Sequence, residues 1–149
     1  MKYLFDTNVL SELRRPSKTR HPGVTRWGAS VDSGDVFLSV VTIHEIERGI
    51  VLVERRDPAS GWSLRSWLDQ AVLAGYAGRI IDVDVEIARR AAALFGARTR
   101  PLADAFLAAT ALIRDLTLAT RNVRDFEDTG VTLINPFDQS ARPPAPLGR

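Results

Sequence analysis

Four acidic residues, far apart along the chain, stand in similar local surroundings: Asp6, Glu45, Asp104 and Asp125. Each lies in or beside a polar stretch typical of the start of a helix, and three of them follow a short apolar run typical of a strand. In a parallel sheet every strand-to-helix junction opens at the same edge. We therefore expect Asp6, Glu45 and Asp125 to meet at one point, and Asp104 to join them if the turn before its helix returns to the same edge.

Carboxylates gathered so closely need a cation, because like charges a few ångströms apart raise the pKa of each carboxyl group. Ligands that are all oxygen select a hard ion, so the expected metal is Mg²⁺ or Mn²⁺ rather than zinc or copper. Such an ion can activate water and stabilise the charge that develops on a phosphodiester. The residue types therefore predict metal-dependent hydrolysis of a phosphodiester.

Each acid also has a structural explanation that needs no metal. Asp6 can cap the first helix, and Asp104 lies in the first turn of a later one. Glu45 ends a Ser/Thr-x-x-Glu capping box that begins at Thr42, and Asp125 lies three residues after a candidate cap. Their common position at one sheet edge favours the joint interpretation over four separate ones.

Other polar residues are weaker candidates for the site. Asp82 and Asp84 follow another apolar run, but Asp84 is well placed to cap the next helix. The two histidines, His21 and His44, are too few for a histidine-based metal site. No serine stands in a Gly-x-Ser-x-Gly context, and the glycines form neither a Walker loop nor a dinucleotide fingerprint.

The elements that must position these residues alternate between strand and helix. Apolar runs predict five strands, at residues 2–5, 36–41, 79–83, 116–120 and 131–134. Helices are predicted between them, and the longest covers residues 43–56. This alternation indicates an α/β layered domain with a mainly parallel sheet and right-handed crossovers.

Length and composition limit the class of protein. A chain of 149 residues with 45% hydrophobic content fits one domain, predicted over residues 1–137, with a proline-rich tail over residues 138–149. Cysteine is absent, which excludes disulfides, zinc-thiolate sites and a cysteine nucleophile. The sequence shows neither a signal peptide nor an apolar run long enough to span a membrane, so we expect a soluble cytoplasmic protein.

The cations are nearly all arginine, although the formal net charge is only +2. Arginine suits two-pronged contacts with phosphate, while a GC-biased coding sequence gives the same enrichment without a functional cause. The clearest basic cluster can contact nucleic acid or be a solvated loop after a helix. It consists of Arg14, Arg15, Lys18 and Arg20.

Four segments that contain the acids resemble the PIN domain, and most of all the VapC-like toxins of bacterial toxin–antitoxin pairs. They read DTNVLSE at residues 6–12, SVVTIHEIERG at 39–49, PLADAFLAATA at 101–111 and TRNVRDF at 120–126. All four occur in the family's order. The resemblance covers the chain from its start to residues 135–137.

This resemblance implies a three-layer α/β/α fold with a mainly parallel five-stranded sheet, and a ribonuclease that depends on Mg²⁺ or Mn²⁺. It implies that Asp6 and Asp104 are the principal metal ligands and that Glu45 is a third acid. Asp125 would be the fourth acid, although Asn122 stands where some members of the family have an acid.

The resemblance also implies partners and further contacts. RNA is the expected substrate, and a small VapB-like antitoxin is expected to insert a segment near the active site. A homodimer is expected, to which the predicted helix over residues 62–72 can offer an apolar face, with DNA bound only through the antitoxin and no membrane partner. Contacts with metal-bound water or substrate are predicted for Asn122, Thr120 and Arg48, and contacts with RNA or an acidic antitoxin tail for Arg48, Arg14, Arg15 and Arg121.

Two functions from different classes are open at this stage. The first is an endoribonuclease that acts as the toxin of a toxin–antitoxin pair. The alternative is a PIN-fold binding module that acts mainly in a repressor complex with a DNA-binding antitoxin, with a weak or silent nuclease. Growth arrest on expression without the antitoxin distinguishes them, because a pure repressor component should be harmless.

Overall fold

The computed structural model describes residues 1–96, 98–138 and 140. Its five strands form one sheet in which every neighbouring pair is parallel. The strands are β1 (Tyr3–Phe5), β2 (Val36–Ser39), β3 (Ile80–Ile81), β4 (Thr117–Ala119) and β5 (Leu133–Ile134). They lie in the order β3-β2-β1-β4-β5, so that β1 is central.

Six α-helices pack around the sheet. They are α1 (Thr7–Arg14), α2 (Pro22–Ser30), α3 (Val40–Arg56), α4 (Pro58–Trp67), α5 (Val85–Ala93) and α6 (Leu102–Arg114). A π-helical segment, Leu68–Leu73, prolongs α4, and short 3₁₀ turns lie at Ser33–Asp35, Leu94–Gly96, Val123–Asp125 and Glu127–Thr129. The predicted α/β layered fold with five strands is confirmed, and its sheet is fully parallel.

The sheet is covered on both faces, as β1 shows. Tyr3 and Phe5 belong to the cluster around Trp27 on one face, whereas Leu4 packs with Leu107 on the other. Alternate residues of a strand point to opposite faces, and here both faces are apolar. A sheet buried on both sides leaves only its edges for a polar site.

The predicted boundary between β2 and α3 was wrong. The β-branched run at residues 40–41 was expected to extend the strand, but α3 begins at Val40 because Ser39 caps it, its hydroxyl accepting a hydrogen bond from the Val41 amide at 3.0 Å. The predicted capping box from Thr42 to Glu45 therefore does not exist. Glu45 is the sixth residue of the helix, about one and a half turns from its start.

The region after α3 also departs from the prediction. The helix predicted over residues 62–72 begins earlier than expected, because α4 starts at Pro58, directly after its cap Asp57. Of the apolar residues predicted to offer a dimer face, Leu68 and Val72 are buried in the core, while Trp62 is exposed. The apolar face of this helix therefore packs mostly within the chain itself.

The structure tests the predicted tail and the predicted absence of a membrane span only over the residues that it describes. Of the predicted tail, the structure describes only residues 138 and 140, so the division at residue 137 stays a prediction. Among the described residues, no helix combines the length and the apolar character needed to cross a membrane.

Candidate active site

Asp6 stands at the carboxyl end of the central strand and is only 7% exposed. One carboxylate oxygen accepts a hydrogen bond from the Thr7 amide at 2.7 Å, which caps α1. The other accepts from the Thr120 hydroxyl at 2.8 Å and from the Asn8 side-chain amide at 3.4 Å. Burial raises the pKa of Asp6, the bonds from Thr120 and Thr7 lower it, and the charges of neighbouring acids raise it.

Glu45 reaches the same place from α3. Its Oε2 accepts a hydrogen bond from the Thr7 hydroxyl at 2.8 Å, so Thr7 binds Asp6 through its amide and Glu45 through its side chain. The negative charge of Glu45 raises the pKa of Asp6. The first and second strands therefore deliver two acids to one point, as predicted.

Asp104 arrives from the start of α6, in its first turn. Burial is the largest cause that raises its pKa, to about 6, and the charges of the other three acids add to it. The cation of Arg100 acts in the opposite direction. The turn before α6 thus returns to the carboxyl edge of the sheet.

Asp125 lies on the connection between β4 and β5, in the turn Val123–Asp125. It is the most exposed of the four acids, and its carboxylate makes no hydrogen bond within the described residues. It lines two neighbouring clefts, one of about 260 Å³ shared with Asp104 and one of about 450 Å³ shared with Asn122. The structure therefore brings all four predicted acids to one edge, with Asp125 at the rim.

The donor set at this edge suits a hard cation. It contains carboxylate, hydroxyl and amide oxygens, and neither cysteine, which the chain lacks, nor histidine. The charges of the neighbouring acids help to raise the pKa of Asp6 and of Asp104, an effect that a divalent ion would reverse. Within the described part of the chain, however, no three acidic or histidine side chains are placed so that they could hold a metal ion together without moving.

Comparison with known proteins identifies the family of the chain. The family model of the PIN domain matches residues 3–131. The chain belongs to the PIN-domain family. This PIN domain is 34% identical to the toxin FitB of Neisseria gonorrhoeae, with 90% of the chain and 97% of FitB covered.

Another relative and a solved structure extend the comparison. The ribonuclease VapC14 of Mycobacterium tuberculosis is 47% identical over 73 residues, which are 49% of this PIN domain and 69% of that protein. A chain in the structure of FitAB bound to a DNA fragment superposes with a TM-score of 0.80 at 32% identity, covering 91% of this chain and 95% of that one. The predicted family and its three-layer fold are confirmed.

The polar residues predicted beside the acids have different surroundings in this PIN domain. Thr120 is fully buried and binds Asp6, and its oxygen accepts from the Asn122 amide at 3.0 Å. Asn122 occupies the N-cap position of the turn Val123–Asp125, as the structural explanation of Asp125 supposed, but its side chain makes no capping hydrogen bond. Arg48 is exposed on α3, three residues beyond Glu45.

The predicted arginine contacts are partly engaged within the PIN domain itself. Arg14 lies 5.6 Å from the ring centroid of Trp67, and Arg121 lies 3.8 Å from that of Phe137. Arg15 forms an ion pair of 3.7 Å with a glutamate one turn earlier. Of the three, Arg121 stands next to the acids, because its amide donates to the side chain of the motif residue Asn8 at 3.1 Å.

The competing acids lie elsewhere. Asp84 caps α5 and pairs with Arg114 at 3.5 Å. Arg114 is in the last turn of α6 and Asp104 in the first, so about 15 Å of helix separates the two ends. Asp82 lines a cleft that also contains Asp84 and Arg114. His44 is exposed.

Three residues at the site were missed from the sequence. Thr7 and Asn8 bind the acids, and their place in the Asp-Thr-Asn motif directly after a strand was a signal that could have identified them. Arg100 lowers the pKa of Asp104, yet no local pattern distinguishes it from the other arginines of the chain.

Proposed function

We propose that this PIN domain is a metal-dependent endoribonuclease and acts as the toxin of a toxin–antitoxin pair. The observation that carries the proposal is the meeting of four acids from separate elements at the carboxyl edge of the sheet, where the charges of the neighbouring acids help to raise the pKa of Asp6 and of Asp104. A ribonuclease and a toxin among the relatives support the two parts of the proposal. The acids are Asp6, Glu45, Asp104 and Asp125.

Asp6 and Asp104 would be the principal ligands of Mg²⁺ or Mn²⁺, with Glu45 and Asp125 as further acids around the ion or its water. A bound ion of this kind supplies an activated water and stabilises the charge that develops on the phosphodiester. The raised pKa of Asp104, about 6, supports this assignment, because a nearby divalent charge favours the ionised carboxylates.

The chain's own hydroxyl groups hold the acids ready for an ion. Thr120 donates to Asp6 and Thr7 donates to Glu45, both at 2.8 Å. Hydrogen bonds to a carboxylate favour its ionised form and fix its orientation. The two threonines therefore fix the orientation of one carboxylate oxygen each on Glu45 and Asp6, whereas the carboxylate of Asp125 accepts no such bond within the described residues.

RNA would lie along the cleft that Asp125 shares with Asn122. This cleft is also lined by Arg121, Arg124 and Asn135, so it offers cations for phosphate and amides for base edges. The Asn135 side chain accepts a hydrogen bond from the Phe137 amide through its oxygen, which leaves its NH₂ group to donate. The exposed Arg48 adds a further cation on α3.

The direct test uses purified protein free of any antitoxin. Cleavage of RNA should require Mg²⁺ or Mn²⁺, should stop with EDTA and should be lost in Asp6→Asn and Asp104→Asn. Asp84→Asn is the matched control, because it makes the same change at the other end of α6 and should leave cleavage intact. Cleavage that survives EDTA and both site substitutions would sink the proposal.

A second function is favoured by one observation, the similarity to a chain in the DNA-bound FitAB structure. In this alternative the protein acts mainly in a repressor complex with a VapB-like antitoxin that binds the DNA, and its nuclease is weak or silent. Expression without the antitoxin separates the two functions. Growth arrest that Asp104→Asn abolishes supports the toxin, whereas harmless expression of the unaltered protein supports the repressor component.

A further inference from the structure

Arg100 is a charged residue buried beside the acid cluster, with an exposed fraction of only 6%. Its guanidinium faces Asp128 with two prongs, Nη2 at 2.5 Å from Oδ2 and Nη1 at 3.3 Å from Oδ1. Its Nε is buried and has no hydrogen-bond partner within the described residues. Burying a guanidinium this deeply costs free energy unless the charge is paired. The contribution of Arg100 to the fold therefore depends on its partners.

Those partners lie on a different segment from Arg100 itself. Arg100 precedes α6 and so belongs to the segment that carries Asp104, whereas Asp128 follows Asp125 by three residues. Arg100 also donates to the main-chain oxygen of Asp125 at 3.4 Å. Arg98 donates to the same oxygen at 2.9 Å and lies 3.5 Å from the carboxylate of Asp128.

These contacts join the two segments that carry the third and fourth acids. Within the described residues, the hydrogen bonds and ion pairs between residues 98–104 and residues 120–129 all come from Arg98 and Arg100. Asp104 and Asp125 repel each other and line the same cleft. Without the two arginines, no hydrogen bond or ion pair between these two segments would oppose that repulsion within the described residues.

We propose that Arg100 is a positioning residue, which fixes the separation of Asp104 and Asp125 and thereby sets the affinity of the acid cluster for its divalent ion. Its pairing with Asp128 holds the loop, and its charge offsets part of the repulsion between the acids. This inference rests on the proposed metal-dependent function.

The test is a calorimetric titration of the purified full-length protein with MnCl₂. Asp128→Asn removes the ion pair but leaves the charge of Arg100, and Arg100→Lys keeps a charge but loses the two-pronged geometry. We expect both to bind Mn²⁺ at least about tenfold more weakly than the unaltered protein, a loss of about 1.4 kcal/mol.

The ion pair between Asp84 and Arg114 provides the control. Asp84→Asn removes this contact, which lies at the other end of α6, and should not change the affinity for Mn²⁺. Circular dichroism identifies any variant that does not fold, and Asp128→Asn, at a partly exposed position, then carries the test. Affinities of folded Asp128→Asn and Arg100→Lys equal to that of the unaltered protein would overturn the inference alone. Absence of Mn²⁺ binding by the unaltered protein would overturn the proposed function as well.

Discussion

Asp6 is a buried carboxylate whose pKa and orientation depend on the residues around it. Thr120, which is fully buried, gives it a hydrogen bond of 2.8 Å and accepts another from the Asn122 amide. Asp6 is therefore held by the residue that follows β4, a strand three places later than β1 in the chain but adjacent to it in the sheet. Its position is set by tertiary structure as much as by its own motif.

Replacing Thr120 by valine should test this support, because it keeps the shape and removes the hydroxyl. We expect the free energy of unfolding to fall by about 1.5 to 3 kcal/mol, the usual value of a hydrogen bond to a charged group. Urea unfolding measures it. Thr110→Val is the control: that hydroxyl is also buried but binds a carbonyl of its own helix, and we expect a loss below about 1 kcal/mol.

Because the pKa of Asp104 is raised, we expect an unusual dependence of stability on pH in the metal-free protein. Its pKa rises from 3.8 to about 6 on folding, chiefly through burial and then through the other acids. Between these two values the folded state holds the proton more tightly, so stability falls as the pH rises from about 4 to about 6. Above this range the loss is complete.

Unfolding measured in EDTA across that interval, for the unaltered protein and for Asp104→Asn, checks this prediction. The variant should gain stability relative to the unaltered protein as the pH rises, because an amide cannot ionise. A difference between the two that stays constant from pH 4 to pH 6, or that shrinks, would contradict the raised pKa.

At the scale of the elements, α3 and α4 approach each other very closely at Gly61. A Cβ atom added there would lie 2.5 Å from the Cγ of Glu54 and 2.8 Å from its Cα. Arg65 on α4 then pairs with both Glu47 and Glu54 on α3. The absence of a side chain at residue 61 allows this ion-paired contact.

Gly61→Ala should therefore lower the free energy of unfolding by about 1 to 3 kcal/mol, since the backbone of α3 must move to admit the methyl group. Gly49→Ala, in the interior of α3 with no atom within 4 Å of the added Cβ, is the matched control. It should raise stability by about 0.5 to 1 kcal/mol, the ordinary preference of a helix for alanine. Equal effects of the two substitutions in thermal unfolding would rule out the close contact.

Much of the element pattern could be predicted from the sequence because periodicity and breakers are local signals. The five strands and the order of the helices follow from them. The return of Asp104 to the carboxyl edge does not, because it depends on the path of the turn before α6. The start of α3 could not be predicted, because two β-branched valines after Ser39 read equally well as strand or helix. The supporting bonds of Thr120 and the ion pair of Arg100 depend on contacts across the fold, which spacing does not encode.

In the molecule as a whole, the four candidate acids lie at one edge of the sheet, and arginine side chains lie beside them. Arg124 lines the cleft that contains Asp125, and its side chain makes no hydrogen bond or ion pair with the described residues. It is therefore available to phosphate. A single-stranded RNA that crosses the acids would contact it through electrostatic attraction, which salt weakens.

RNA binding by the non-cleaving variant Asp104→Asn should show this directly. Adding Arg124→Gln should weaken binding and reduce the slope of log affinity against log salt by about 0.7, the value for one phosphate contact on a single strand. Adding Arg90→Gln instead, on α5, should change neither. Fluorescence anisotropy over a range of KCl concentrations measures both quantities, and an unchanged slope for Arg124→Gln would place the RNA elsewhere.

We propose above that four acids, far apart in the sequence, form one site for a divalent ion. Crystals of the protein soaked in MnCl₂ test it most directly, because the anomalous scattering of manganese locates the ion without assumptions. We predict a peak within coordination distance of Asp6 and Asp104, with Glu45 or Asp125 bound directly or through water. Manganese that binds only elsewhere, such as beside Asp82 and Asp84, or no peak at all, would contradict it.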